Sequence, residues 1–160
     1  MPSPKRILVP VDFSACSRAA LEHALELQAA FGTSVDVLHV HEPSGFVGFE
    51  SLALMPVDRP ARRWEQLRDD LLRELERFVA PHRGRIGQVR VEAGVPTDII
   101  PDVARRGEFD LVLMGTQGQS GFSRPVVGNV AEGVMRKAHC PVMTLRMAAR
   151  GGGGHESVLM

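Results

Sequence analysis

Apolar positions along the chain switch between two periods. Ile7-Leu8-Val9-Pro10-Val11 is a short run rich in β-branched residues, suited to a strand buried on both faces. Asp12-Phe13-Ser14 then turns the chain, and Ser14 is placed to cap a helix over 15–31. Ala20, Ala24, Leu27 and Phe31 keep helical spacing there until Gly32 stops it. Val35 to Val40 predicts a second strand. Residues 42–60 interrupt this grammar, because Pro43, Gly45, Gly48, Pro56 and Pro60 punctuate an irregular apolar stretch; loops of that length inside a compact domain are uncommon and usually functional or mobile. A long amphipathic helix follows from Arg62 to Phe78, with Leu67, Leu71, Leu75 and Phe78 on one face and its charges on the solvated one. Val89 to Glu92 predicts a weaker strand, and Gly94-Val95-Pro96-Thr97 leads into a helix over Asp98 to Arg106. Phe109 to Met114 is the clearest strand of the chain. A helix over 129–138 and a last strand, Val142 to Met147, complete the pattern.

Strict alternation of strands and helices predicts an α/β fold: a five-stranded parallel sheet with helices on both faces and right-handed crossovers. Residues 1–147 read as one domain. Residues 148–160, with Gly151 to Gly154, read as a flexible glycine-rich tail without a hydrophobic pattern. Sheets of this kind bind ligands at the carboxyl ends of their strands, in the crevice where strand order reverses. Asp12, His41, Gly94 and the loop that begins at Gly115 all fall at such ends.

Composition narrows the function classes. In 160 residues, 19 Lys and Arg balance 19 Asp and Glu, which argues against a generally basic nucleic-acid binder. Aromatic residues make up 5% of the chain, with no Tyr and one Trp, so a base-stacking RNA module is not expected. No apolar run approaches a membrane span and no signal-peptide core is seen, so the expectation is a cytoplasmic domain that meets no membrane. Cys16 and Cys140 lie in apolar sequence with nothing nearby that would activate a thiolate, and read as inert thiols. His39 and His41 fall on one face of one strand, but no third ligand stands at a helpful spacing; no metal site is expected.

Two familiar phosphate motifs fail. There is no Gly-x4-Gly-Lys-Ser/Thr, and the glycines after the fourth predicted strand read Gly115-x2-Gly118-x2-Gly121 rather than Gly-x-Gly-x2-Gly. What stands is Gly115-x2-Gly118-x9-Gly128-Asn129, followed by Val130. Gly115 and Gly118 would allow positive φ and close approach of the backbone to a ligand, and the helix opening at Gly128 and Asn129 would offer its first N–H groups to an anion. Ser120, Ser123 and Arg124 lie between and could add phosphate contacts. Spacing alone is equally compatible with a strand-to-helix loop in which Asn129 is a simple N-cap. Likewise, the Asp12 carboxylate at a strand end could cap the turn that follows it.

The chain resembles the universal stress protein family from Lys5 to Arg146. The segments that carry the resemblance are Ile7-Leu8-Val9-Pro10-Val11-Asp12-Phe13-Ser14, Leu38-His39-Val40, Asp110 to Thr116, Val127 to Glu132, and the close Ala138-His139-Cys140-Pro141-Val142. The resemblance implies a Rossmann-like adenine-nucleotide-binding fold. It also implies a homodimer paired through the last strand, Val142 to Met147, and a role in stress response with an unidentified protein partner. Having all three glycines, the chain is similar to the branch that binds ATP, with Mg²⁺ accompanying through phosphate oxygens and water. Asp12 matches the ribose position of that branch, and Pro10, Val11 and Val40 match the adenine lining. Met114, Gly115, Gly118, Gly128, Asn129 and Val130 match the loop around ribose and phosphates. Asn129 departs from the usual Ser or Thr, which would weaken binding rather than abolish it.

Three functions remain in view: a dimeric nucleotide-dependent regulatory module, a dimeric interaction protein that binds no nucleotide, and a slow ATPase or nucleotide-dependent transferase. The enzyme needs a general base that the sequence does not offer, and the Ser-Gly-Gly-x-Asp-Ser and His-x-Gly-His signatures of related folds are absent. No catalytic residue is assigned.

Overall fold

The computed structural model describes residues 3–43, 60–116, 128–147 and 156–158. β1 (Arg6–Pro10) runs into α1 (Ala15–Phe31), whose ends follow local chemistry. The Ser14 side chain accepts the Ser17 N–H as N-cap, and Gly32 closes the helix at φ 69°, the left-handed region that glycine enters without penalty. β2 (Ser34–His41) follows. The irregular stretch lies outside the described residues from 44 to 59. α2 (Pro60–Val79) then continues into a short 3₁₀ turn, Ala80–Arg85, and β3 (Val89–Ala93). α3 (Pro96–Arg106) starts two residues earlier than its apolar pattern predicts, because Pro96 is pre-set for the first helical turn. β4 (Leu111–Gly115), α4 (Asn129–Lys137) and β5 (Val142–Arg146) complete the predicted order.

The sheet order is β3-β2-β1-β4-β5-β6, with β1 to β5 parallel as expected. The sixth strand is a departure. Glu156–Val158, inside the segment read as a tail without pattern, forms β6 and pairs antiparallel with β5, Thr144 opposite Val158 and Arg146 opposite Glu156. β6 thus lies along Thr144 to Arg146 of the strand that was expected to pair with a second copy. Three residues without alternation of their own carried no signal of this, since their partner strand lies elsewhere in the sequence.

Alternation within the central strands divides the core in two. Ile7 and Val9 of β1, with Leu111 and Leu113 of β4, face α1 and α2 and meet Leu21, Leu25, Leu75 and Val79. Leu8, Val112 and Met114 face α3 and α4 and meet Ile100, Val103, Ala131 and Val134. Leu67, assigned to the buried face of α2, is 37% exposed, whereas Leu75 and Phe78 of that face are buried. α3 and α4 pack closely: a Cβ on Gly133 would run into the methyl of Thr97, and Lys137 pairs with Asp98 across the same seam.

The amino-terminal end of the sheet is tied shut. Asp36, buried on β2, accepts the Gln88 N–H at 2.9 Å and pairs with Arg6 at 3.5 Å and Arg90 at 4.0 Å, so this carboxylate leaves water with partners. Asp110 accepts the backbone N–H groups of Lys5 and Arg6. Among the described residues no helix is long and apolar enough to cross a membrane.

Candidate functional site

Strand order reverses between β1 and β4, so the crevice of this sheet opens at their carboxyl ends. The chain leaving β1 is held firmly there. The Val11 N–H donates to the Leu38 carbonyl at 2.8 Å, and the Val11 carbonyl lies 2.8 Å from His39 Nδ1, which must carry the proton to make that bond. Asp12 comes next and is half-buried, its Oδ1 accepting the Ser14 N–H at 3.0 Å in an Asx-type turn. Its own N–H points to Ser17 Oγ at 3.4 Å. The carboxylate thus supports the turn as well as facing the end of the sheet, so the turn-capping alternative is partly realised.

Phe13 sits at φ 64°, a region that a bulky L-residue rarely enters. Its ring is clamped between His39, with centroids 4.5 Å apart, and Phe78, edge-on at 5.7 Å. Arg18 covers the other side of Phe78, 4.1 Å from its ring centre. Aromatic packing from β2 and α2 therefore holds a strained turn immediately after Asp12.

On the β4 side, Thr116 ends the strand by donating both its N–H, at 2.9 Å, and its hydroxyl, at 3.2 Å, to the Leu145 carbonyl. Gly115 does not take the positive φ expected of it, and packing gives it a further reason to be glycine. Among the described glycines only Gly32 and Gly94 have positive φ, whereas a Cβ on Gly115 would come within 2.7 Å of Cys16 Sγ. The glycine lets β4 lie against α1.

Gly128, not Asn129, is the N-cap of α4. No side chain caps the helix, and Asn129 is its exposed first residue. The Asn129 N-cap alternative is therefore corrected. A Cβ on Gly128 would collide with the Thr116 carbonyl, so this glycine brings the start of α4 against the end of β4. The uncapped N-terminus of a nine-residue helix is thereby fixed beside the crevice.

The structure brings Pro10, Val11, Asp12, Val40, Met114, Gly115, Gly128, Asn129 and Val130 to the carboxyl end of the sheet. They differ in what they offer. Pro10, Val11 and Met114 are buried, Val11 and Met114 in opposite halves of the core, so they form the floor; Val40 is half-buried, and Val130 is 38% exposed. Gly118, Ser120, Ser123 and Arg124 lie outside the described residues.

Phe13 and His39 were not assigned a part in the site from sequence. A positive φ at phenylalanine leaves no sequence signal, while His39 could have been found from its register on the Val35 and Val37 face of β2. His41 stacks near Trp64, centroids 6.2 Å apart. Among the described residues no group of three or more His, Cys, Asp or Glu side chains is arranged to hold a metal. Burial pushes the half-buried Cys140 thiol above its usual range, with the Asp110 charge adding to the shift.

Comparisons with known proteins agree with this geometry. The family model that matches residues 4–146 is that of the universal stress protein family. Universal stress protein MJ0531 of Methanocaldococcus jannaschii is 30% identical over 149 residues, covering 89% of this chain and 82% of the relative. Universal stress protein UspA from Lactobacillus plantarum superposes with a TM-score of 0.67 at 25% identity, covering 88% of this chain and 96% of that one. A universal stress protein crystallised in complex with cAMP superposes with a TM-score of 0.61 at 21% identity, over 89% of this chain and 97% of that one.

Proposed function

The chain belongs to the universal stress protein family, and from that premise we propose that it is a regulatory module of the stress response that binds ATP, with Mg²⁺, at the carboxyl ends of β1 and β4. One observation carries the reading: the half-buried Asp12 residue follows β1 and the uncapped amino end of α4 packs on the end of β4, the two strands between which strand order reverses. A nucleotide needs a partner for its ribose hydroxyls and donors for its phosphates, and this pair supplies one of each chemistry. The complex of a family member with cAMP supports the choice of an adenine nucleotide.

The residues present fit such a ligand. Val40 and the exposed Val130 offer apolar surface for a base, Asp12 faces the sugar, and the first N–H groups of α4 face the phosphates. Gly118, Ser120, Ser123 and Arg124 would complete the phosphate side. Asn129, the first helical residue rather than the cap, lacks the hydroxyl that Ser or Thr would bring to this position. The bound nucleotide supplies charge and bulk that favour one arrangement of the surrounding loops, and regulation follows only where two arrangements bind it unequally.

Calorimetric titration with ATP and Mg²⁺, with GTP as comparison, tests the reading. Saturable ATP binding that exceeds GTP binding and weakens in Asp12→Ala without an equal loss of thermal stability is the expected result. Asn129→Ser should tighten binding by about fivefold, the equivalent of one neutral hydrogen bond of about 1 kcal/mol. No heat at millimolar ATP overturns the proposal. A lower melting temperature in Asp12→Ala with unchanged affinity would leave that residue as a turn-former only.

A further inference from the structure

Among the described residues, two that are not glycine take positive φ, Glu108 and Phe13. Glu108 follows the end of α3, where chains commonly leave a helix through that region. Phe13 has no such reason. It precedes a helix, carries a bulky side chain, and stands between Asp12 and the Ser14 N–H that Asp12 Oδ1 accepts at 3.0 Å. That bond spans φ of residue 13, so the Asp12 carboxylate and the Phe13 backbone cannot move independently. What opposes the strain is a pair of ring contacts made far away in sequence, His39 of β2 at 4.5 Å and Phe78 of α2 at 5.7 Å between centroids. Phe78 is itself firmly seated. It is 6% exposed, a turn beyond Leu75 and next to Val79, both fully buried. The Arg18 guanidinium lies 4.1 Å from its ring centre and donates to its carbonyl at 3.3 Å.

We propose that Phe78 is a positioning residue for Asp12, acting through the strained backbone of Phe13, and that the seat of α2 thereby sets the affinity of the nucleotide site. The second clause rests on the reading of the crevice as such a site. Phe78 needs no contact with the ligand.

Two opposed effects meet at Phe13. Left to itself, an L-residue favours negative φ over the left-handed region by about five- to thirtyfold. The ring contacts reverse that preference, and they exist only while α2 is packed on the sheet. Apparent affinity falls with the fraction of molecules in the binding arrangement, so contacts that hold Phe13 also hold the affinity. Linkage is reciprocal: a nucleotide that binds this arrangement tightens the contact of Phe13 with α2. Whatever loosens Phe78 from Phe13 therefore weakens nucleotide binding, from a helix that lies outside the crevice.

The test uses the full chain and two readouts. One is calorimetric titration with ATP and Mg²⁺; the other is hydrogen exchange of the Ser14 amide without nucleotide, corrected for intrinsic rate. Phe13→Ala and Phe13→Gly both remove the ring, but only glycine enters the left-handed region freely. Phe13→Gly should bind ATP more tightly than Phe13→Ala by about threefold or more, and its Ser14 amide should exchange more slowly by a similar factor. Phe78→Leu keeps an apolar side chain in the core without the ring edge, and should weaken ATP binding and quicken Ser14 exchange by about threefold or more. In the Phe13→Gly background the same substitution should change neither readout, although it lowers the melting temperature in both backgrounds. A merely structural role of Phe78 would not separate the two. Equal affinity and equal exchange in Phe13→Ala and Phe13→Gly overturn the proposal, as does a Phe78→Leu effect that persists beside Phe13→Gly. No ATP heat with the exchange order intact overturns the nucleotide reading and supports Phe78 as the positioning residue of the carboxylate. ATP binding without that order overturns this inference alone.

Discussion

His39 Nδ1 lies 2.8 Å from the Val11 carbonyl oxygen, and the same imidazole packs against Phe13, two residues further on, at 4.5 Å between ring centres. One side chain of β2 therefore fixes both ends of the turn that carries Asp12. Replacing it by Ala leaves a carbonyl without its donor, a loss of about 1–3 kcal/mol, and removes the ring contact as well. His39→Phe restores the ring but not the donor. Urea denaturation should rank wild type above His39→Phe and His39→Phe above His39→Ala. Calorimetry with ATP should follow the same order, because Asp12 moves with the turn.

Phe13 offers a test of stored strain. At φ 64° any residue with a Cβ is disfavoured, whereas Gly is not. Both Phe13→Ala and Phe13→Gly lose the clamp formed by His39 and Phe78, so their difference isolates the backbone. Phe13→Gly should be more stable than Phe13→Ala by about 1 kcal/mol in chemical denaturation, the reverse of the order found inside helices.

The seam between α3 and α4 should show coupling. Gly133→Ala normally gains helix propensity, yet here the added methyl meets the Thr97 side chain at its Cγ2. Overpacking of this kind costs about 1–3 kcal/mol. Thr97→Ser removes the offending methyl while keeping the hydroxyl. The double variant should recover part of the stability that Gly133→Ala loses, the contact with the Thr97 Cβ at 2.9 Å persisting, and give a non-additive cycle by thermal or urea unfolding.

Cys140 should react slowly with iodoacetamide at pH 7.5. Burial disfavours its thiolate and the Asp110 charge disfavours it further, so both causes raise the pKa and the reactive fraction appears at higher pH than for an ordinary cysteine. Asp110→Asn removes one of the two causes. The midpoint of its rate-against-pH profile should move down, and the rate at pH 7.5 should rise.

The order of elements was legible because the central strands β1 and β4 bury both faces and each helix shows a stripe. Ile7 to Val11 and Leu111 to Met114 are apolar at every position for that reason, and Ser14 and Gly32 mark the ends of α1 by local bonding. The candidate site was legible in part. Asp12, Gly128 and Val130 lie at the carboxyl end of the sheet, where strand counting and family resemblance put them. The reasons assigned to individual residues were less accessible, because they depend on contacts distant in sequence. Gly115 is a glycine on account of Cys16, Gly128 on account of the Thr116 carbonyl, and Phe13 is held strained by His39 and Phe78. β6 was missed on the same ground, since three residues acquire a strand's identity only from the edge beside them.

The contact between Gly115 and Cys16 constrains how this protein can change over generations. A Cβ at position 115 would meet not only the sulfur, at 2.7 Å, but also the backbone carbon and Cβ of Cys16, at 3.0 and 3.1 Å. Cys16→Ala would remove only the sulfur, and the backbone of α1 would still press on any side chain at position 115, so the glycine is the less replaceable of the two. The thiol fills space beside β4 and donates to the Leu145 carbonyl at 3.4 Å, so the end of β5 is held by α1 as well as by Thr116.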